Sequence, residues 1–335
     1  FSLLVRVTDA QSFIQGTLNG NLAQLVISNP NGIVFDGASV TNIGAMVATT
    51  GEVNNFGVSA NQFDVENIDA NSRIHVTNNG LNIDADAGLA LVAGEIVIDG
   101  DVTVPLGDFL AKVGGEVTVS LNNGLLAVDV TQALVKSGTA IQINSAGSIV
   151  AQNIDLEAAL SGDPLSLAVN QSGLVKATGI SNQGGKIKIV AAGAQVLSRG
   201  ELDTSDSNGD KAGSVELRAK NIILAGETTS DNVVIEIGAG SSEGRLRLLE
   251  LNSLLFDVNS MTVNGLAALN SIEGLANYRV TGVDSGSAGY QGVGTAFGDF
   301  SNVDAIAFTN VMNLTASSKT DNAILVGSNG AVSYT

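Results

Sequence analysis

The feature that most constrains this chain is an internal repeat. At an offset of 28 residues, positions 173–200 fall over 201–228 with apolar on apolar and glycine on glycine. Leu174 meets Leu202, Gly185 meets Gly213, Ile187 meets Val215, Ile189 meets Leu217, Ala191 meets Ala219 and Val196 meets Leu224. A unit of this length cannot bury an apolar face alone, so its repetition implies turns stacked on one another as a solenoid. Turns that coil in one direction pair in parallel, each strand about 4.8 Å from its copy and sending alternate side chains inward. Parallel crossovers are right-handed almost without exception. The predicted fold class is therefore all-β, a right-handed parallel β-helix built as a single-stranded solenoid.

Elsewhere the chain repeats a strand of four to six alternating residues closed by Gly, Asn, Asp or Ser. Residues 95–99 (EIVID), 116–120 (EVTVS), 140–144 (AIQIN), 186–190 (KIKIV), 214–218 (SVELR) and 233–237 (VVIEI) follow this form. Ile96 to Val117 is 21 residues and Val117 to Ile141 is 24, so each of these strands is expected to lie on its own rung. Hydrophobic residues make up 44% of the chain and aromatics only 4%, so the core must be layered Val, Ile, Leu and Ala. After about residue 274 the texture changes: Tyr278, Tyr290, Phe297, Phe300 and Phe308 fall in a Gly/Ser-rich stretch. Irregular final rungs, a cap or a different module each fit it, and residues 322–326 still read as strand.

Charge narrows the partners. A formal net charge of −18 repels a phosphate backbone, which argues against nucleic acid. With no cysteine there is no disulfide framework, thiolate metal site or cysteine nucleophile. No apolar run reaches the about 18 residues of a transmembrane helix. The opening residues lack a signal-peptide pattern, so the sequence is expected to be mature protein or a fragment trimmed at its N-terminus. On the outward strand positions Lys188 falls over Glu216 and Arg199 over Glu227, a solvated face of stacked opposite charges. A sharper reading makes Lys186, Lys211, Arg218 and Lys220 a glycan-binding strip.

The most specific segment is residues 24–50, QLVISNPNGIVFDGASVTNIGAMVATT. Pro30 fixes φ and cannot donate to a ladder, so the strand before it must stop. Asn29, preceding proline, is held extended, whereas Asn31 and Gly32 tolerate the positive φ of a tight corner. As chemistry alone this is a good turn between two strands. As a pattern it resembles the NPNG segment of the filamentous-haemagglutinin-like two-partner secretion exoproteins. An apolar strand (25–27), NPNG (29–32), an aliphatic-Phe step (33–35), Gly37, Val40 and the Ala48-Thr49-Thr50 end occur in the family's order. Upstream, residues 6–8 (RVT) and 12–18 (SFIQGTL) resemble the family's preceding run, and the repeat at 173–224 resembles its rungs. Asp36 stands where the family usually has Gly, and Met46 where Leu is common. The family's NPNL segment is not in this chain, and it is expected to lie before residue 1.

The resemblance implies a β-helix exported through an outer-membrane two-partner secretion pore, with residues 29–32 as the secretion motif. It implies a protein secreted to the extracellular space or the cell surface of a Gram-negative bacterium. The expected organisation is a secretion domain over 1–160 with its N-terminal cap truncated, regular rungs over 161–273, and irregular terminal rungs or a cap over 274–335. The expected function is that of an adhesin- or haemagglutinin-type exoprotein meeting a host or neighbouring-cell receptor or glycan. The alternative is a filament or matrix subunit that self-associates end to end.

Enzymatic chemistry has few candidates. Asp84 with Asp86, Asp99 with Asp101, and Asp203, Asp206 and Asp210 are the acidic groupings. Paired carboxylates can run general acid–base chemistry at separations of about 5–10 Å, but these sit in turns where Asp caps local backbone. The stretch 203–210 hints at calcium, yet aligning Gly209 with the EF-hand glycine leaves Thr204 and Val215 at ligand positions. Asp203, Asp206 and Asp210 thus stay a weak calcium candidate, and no cofactor is expected. His75, the sole histidine, sits on the outward face of a strand with Arg73 and Thr77, which reads as solvated. The chain is expected not to be an enzyme.

Overall fold

The computed structural model describes residues 2–59, 62–122, 125–238 and the strands Gly244–Leu248, Leu255–Asn270, Ala276–Gly282, Ser285–Tyr290, Ile306–Thr315 and Ile324–Val326. The chain forms the expected all-β parallel helix, consistent with a right-handed single-stranded solenoid. Three parallel faces run along it. On the first, Ile33, Ile74, Ile96, Ile141, Val169, Val196 and Ile222 lie one above the next. On the second, Ala38, Leu81, Val102, Ile149, Val175 and Leu202 do the same. On the third, Leu25, Met46, Leu89, Phe109, Ile154, Ile187, Val215 and Val233 stack. These inward columns merge into one buried apolar cluster along the axis. Each residue touches its equivalents above and below, which is why aliphatic side chains of similar size fill the interior.

The 28-residue register holds across residues 186–191, where Ile187 lies on Val215, Ile189 on Leu217 and Ala191 on Ala219. It breaks after them. A bulge between Ala191 and Gln195 shortens the offset, so Val196 lies on Ile222 and not on Leu224. Val175, not Leu174, lies on Leu202. Lys188 does stack on Glu216, but Glu227 stacks on Glu201, with Arg199 in the preceding corner. A shift of two residues keeps the same face, so a fixed offset hid the slip past the bulge, while the adjacent apolar pair Leu174-Val175 hid the one-residue slip before it.

Between the first and second faces a glycine column fixes the turn. The amides of Ser148, Leu174, Glu201 and Glu227 donate to the carbonyls of Gly100, Gly147, Gly173 and Gly200. A Cβ on Gly173 would stand 1.9 Å from the Gly147 carbonyl, one on Gly200 1.9 Å from that of Gly173, and one on Gly226 2.0 Å from that of Gly200. Rungs can approach this closely only if those positions carry no side chain.

The larger correction concerns residues 116–132. Glu116–Asn122 is not a rung. It pairs antiparallel with Leu125–Gln132 on one side and Gln62–Glu66 on the other, and Glu52–Ser59 completes a separate four-stranded sheet. Ile96 therefore lies directly on Ile141, 45 residues further on. Both excursions leave the solenoid at the corner between the third and first faces, and their sheet covers the outside of the third. Val26, Val47, Ala90 and Leu110 on that outer surface are buried with Val53, Phe63, Val65, Val117, Val119 and Val128 of the covering sheet. Phe56 meets Phe63 edge-on at 5.5 Å. The protein has a second apolar core, outside the helix.

Toward the C-terminus, Leu255–Asn270 and Ile306–Thr315 continue the parallel pairing, while Ala276–Gly282 and Ser285–Tyr290 pair antiparallel between them. Phe297 and Phe300 lie outside the described residues.

Candidate functional site

The NPNG corner joins the third face to the first. The strand Ser12–Ser28 stops before it and Ile33–Thr49 begins after it. The Gly32 amide donates to the Asn29 carbonyl at 3.1 Å, closing a four-residue turn. Of the two residues that tolerate positive φ, Gly32 adopts it (103°) and Asn31 does not. A Cβ at Gly32 would stand 2.9 Å from the Arg73 carbonyl on the next rung. Pro30 fits the first central position of such a turn, where its fixed φ is already correct.

Asn29 organises the corner. It is fully buried, and its Oδ1 accepts from the Asn31 amide at 2.9 Å. Its Nδ2 donates to the Ala10 carbonyl and to Ser12 Oγ, each at 2.7 Å, and its own amide donates to the Thr49 carbonyl. Asn31 contributes through its side chain, whose Nδ2 donates to the Thr8 carbonyl at 2.8 Å. The corner thus ties residues 8–12 of the first rung to the second. Sequence reading gave Asn29 only an extended backbone and missed this role; an Asx turn, Asn followed two residues later by a free amide, was the available signal. Beneath it, Ser28 Oγ donates to the Gly51 carbonyl, Thr50 Oγ1 meets Ser72 Oγ at 2.6 Å, and Arg6 reaches the Val53 carbonyl at 2.6 Å. Those contacts join the corner to the root of the covering sheet.

The turn design is general. Asp69, Thr77, Asp163 and Asp206 each accept from the amide two residues on, and each carbonyl takes the amide three residues on. At position 29 the device is distinguished by full burial and by its links to the first rung; its proline is shared with the turn at Asp163, which Pro164 follows.

The acidic groupings are placed apart in role. Asp84 and Asp86 are exposed along one strand. Asp99 accepts from His75 Nε2 at 2.7 Å and from Asn144, whereas Asp101 accepts from Ser148 at 2.6 Å. Burial pushes the Asp99 carboxyl up, but the Asn144 and His75 hydrogen bonds and the His75 charge outweigh it and hold it below its usual range. His75 points outward but is half-buried and not simply solvated, and it has this carboxylate partner. Asp203 accepts from Lys176 and from the Ser205 amide; burial raises its pKa and these bonds prevail, lowering it. Asp206 is held low by the amides of Asp210 and Asn208, so its oxygens cap its own loop. Among the described residues no group of three His, Cys, Asp or Glu side chains could hold a metal ion. On the basic strip, Lys186 is 2.5 Å from Glu216, and Arg218 pairs with Glu236.

The decisive comparison concerns the region holding the corner. Residues 2–204 match the TPS secretion domain. The chain belongs to the TPS secretion domain family. It is a secretion and structural module of a secreted β-solenoid exoprotein, and its export partner is an outer-membrane TPS-type protein. No curated protein matches the sequence. Among solved structures, the filamentous hemagglutinin secretion domain aligns at a TM-score of 0.40 and 16% identity, covering 97% of this chain and 74% of that one. The HMW1 secretion domain from Haemophilus influenzae aligns at 0.41 and 16%, covering 96% of this chain and 88% of that one.

Proposed function

We propose that the protein is an adhesin- or haemagglutinin-type exoprotein of a Gram-negative surface, whose residues 29–32 form the secretion motif. One observation carries this reading: within the TPS secretion domain, a buried Asn29 ties the first two rungs together and stands at the root of the covering sheet. The corner's part is to fold this end of the domain into the shape its export partner meets, with a boundary for the domain near residue 160. Receptor or glycan contact then falls to surfaces carried beyond it.

Secretion tests the motif. In cells carrying the intact precursor and its pore, Asn29→Ala should leave the Asn31 amide and the Ala10 carbonyl without partners, costing about 1–3 kcal/mol. Extracellular protein should fall accordingly. Pro30→Ala frees the turn's φ and should fall less. Glu216→Gln, on the solvent face, should be secreted normally. Normal secretion of the Asn29 and Pro30 variants would reduce the corner to an ordinary turn. The surface role is tested by binding to host cells against electron microscopy of the purified chain: ordered filaments with a one-chain repeat would favour the self-assembling subunit instead.

A further inference from the structure

One outward column of the third face turns from uncharged to charged at a single residue. Ser28, Thr49, Val92, Lys112 and Glu157 occupy successive rungs of the same outward column. Val92 belongs to the covered apolar core. Lys112 follows it directly, and its side chain is only 1% exposed. A lysine shut away from water in this way needs compensation, because an unpaired buried charge costs far more than any packing it provides. Among the described residues compensation comes from the next rung: Lys112 Nζ lies 2.8 Å from Asp155 Oδ2 and 2.8 Å from Glu157 Oε2. Neither residue belongs to the covering sheet. That sheet's edge strand Leu125–Gln132 touches both Asp108–Val113 and Ile154–Ala159, so it lies over the joint between the two rungs.

We infer that Lys112, Asp155 and Glu157 form a latch that lets the covering sheet close only after the rung at 154–159 has stacked. Before that rung is in place, closing the sheet would strand an ammonium in an apolar setting; afterwards two carboxylates meet it. The latch sets the order of assembly. The solenoid advances one rung past the sheet, and the sheet then seals. It also gives a physical reason why a complete covered unit cannot end before residue 157. Lys188, 3.2 Å from Asp155 Oδ2, continues the alternation of charge onto the open face. This inference is independent of the secretion reading, since it concerns the closed state of the purified protein.

The test uses the full chain and amide hydrogen exchange of residues 116–132, with residues 187–191 as the solenoid reference. The double variant Asp155→Asn, Glu157→Gln should raise exchange in the covering strands by at least about tenfold, while the reference strand stays protected. Adding Lys112→Met should restore protection, because methionine packs beside Val92 and needs no counter-charge. Lys112→Met alone should leave the sheet closed. Unchanged exchange in the double variant would overturn the latch. So would a triple variant as open as the double, since the carboxylates would then be acting through something other than Lys112.

Discussion

Asp36 stands where the family usually has glycine, and it braces three rungs. Its carboxylate accepts from Gln15 on the rung before (2.5 Å) and from Thr77 (2.6 Å) and Asn79 (2.7 Å) on the rung after. Those bonds, with Thr77 the largest contributor, hold its carboxyl below the ordinary aspartate value of 3.8. A depressed carboxyl stabilises the fold above its unfolded pKa and loses that contribution as pH falls through the folded value. Asp36→Ala should therefore melt below the parent at neutral pH, and the gap should close in acid below 3.8. Glu201 gives the opposite sign. Burial, then Asp203 and the stacked Glu227, push its carboxyl above the ordinary 4.5. Its charge is a burden on the folded state, so Glu201→Gln should raise the melting temperature at pH 7. The gain should vanish below about pH 4.5, where the carboxyl is protonated in both states. Thermal melts at two pH values check both.

At the scale of the element, the corner matters more than the strand. Strand positions accept any aliphatic side chain of suitable size, whereas the glycine column accepts none. Gly173→Ala places a Cβ 1.9 Å from the Gly147 carbonyl. Only separation of two rungs relieves this, at a cost of about 1–3 kcal/mol or more. Ala177→Gly, a comparably small change on the strand Leu174–Ala177, should cost about 1 kcal/mol. Denaturant melts of the two variants should rank them in that order, and equal losses would show that the column does not set rung spacing.

Across the whole molecule, stability is distributed along an axis, because each rung of the solenoid contacts only its neighbours. Ile189 is fully buried between Leu156 and Leu217. Ile189→Asp puts an unpaired charge into that stack and should cost more than about 4 kcal/mol. The loss should be local: exchange should rise steeply around residues 154–159 and 214–219 and much less around 33–49. Uniform deprotection of the whole chain would mean that the rungs unfold as one cooperative block.

What the sequence determined by itself is what short-range chemistry and periodicity encode. Alternating aliphatic strands, turn residues between them and the offset of 28 require a solenoid, and Pro30 with Gly32 requires a corner between residues 28 and 33. The tertiary structure alone decided which strands are rungs. Glu116–Asn122 has the same period-two pattern as Lys186–Val190, because a covering strand also buries one face and exposes the other. Nothing local says whether its partner is the next turn of the helix or a neighbour folded back over the outside. Register past the bulge at 191–195 was hidden for the same reason, since a slip of two residues preserves the face. Apart from the local Asx turn at Asn29, the roles of Asn29, Asp36 and Lys112 were hidden too. Each side chain is explained by atoms on an adjacent rung, 17 to 45 residues away along the chain, and only stacking brings those atoms within reach.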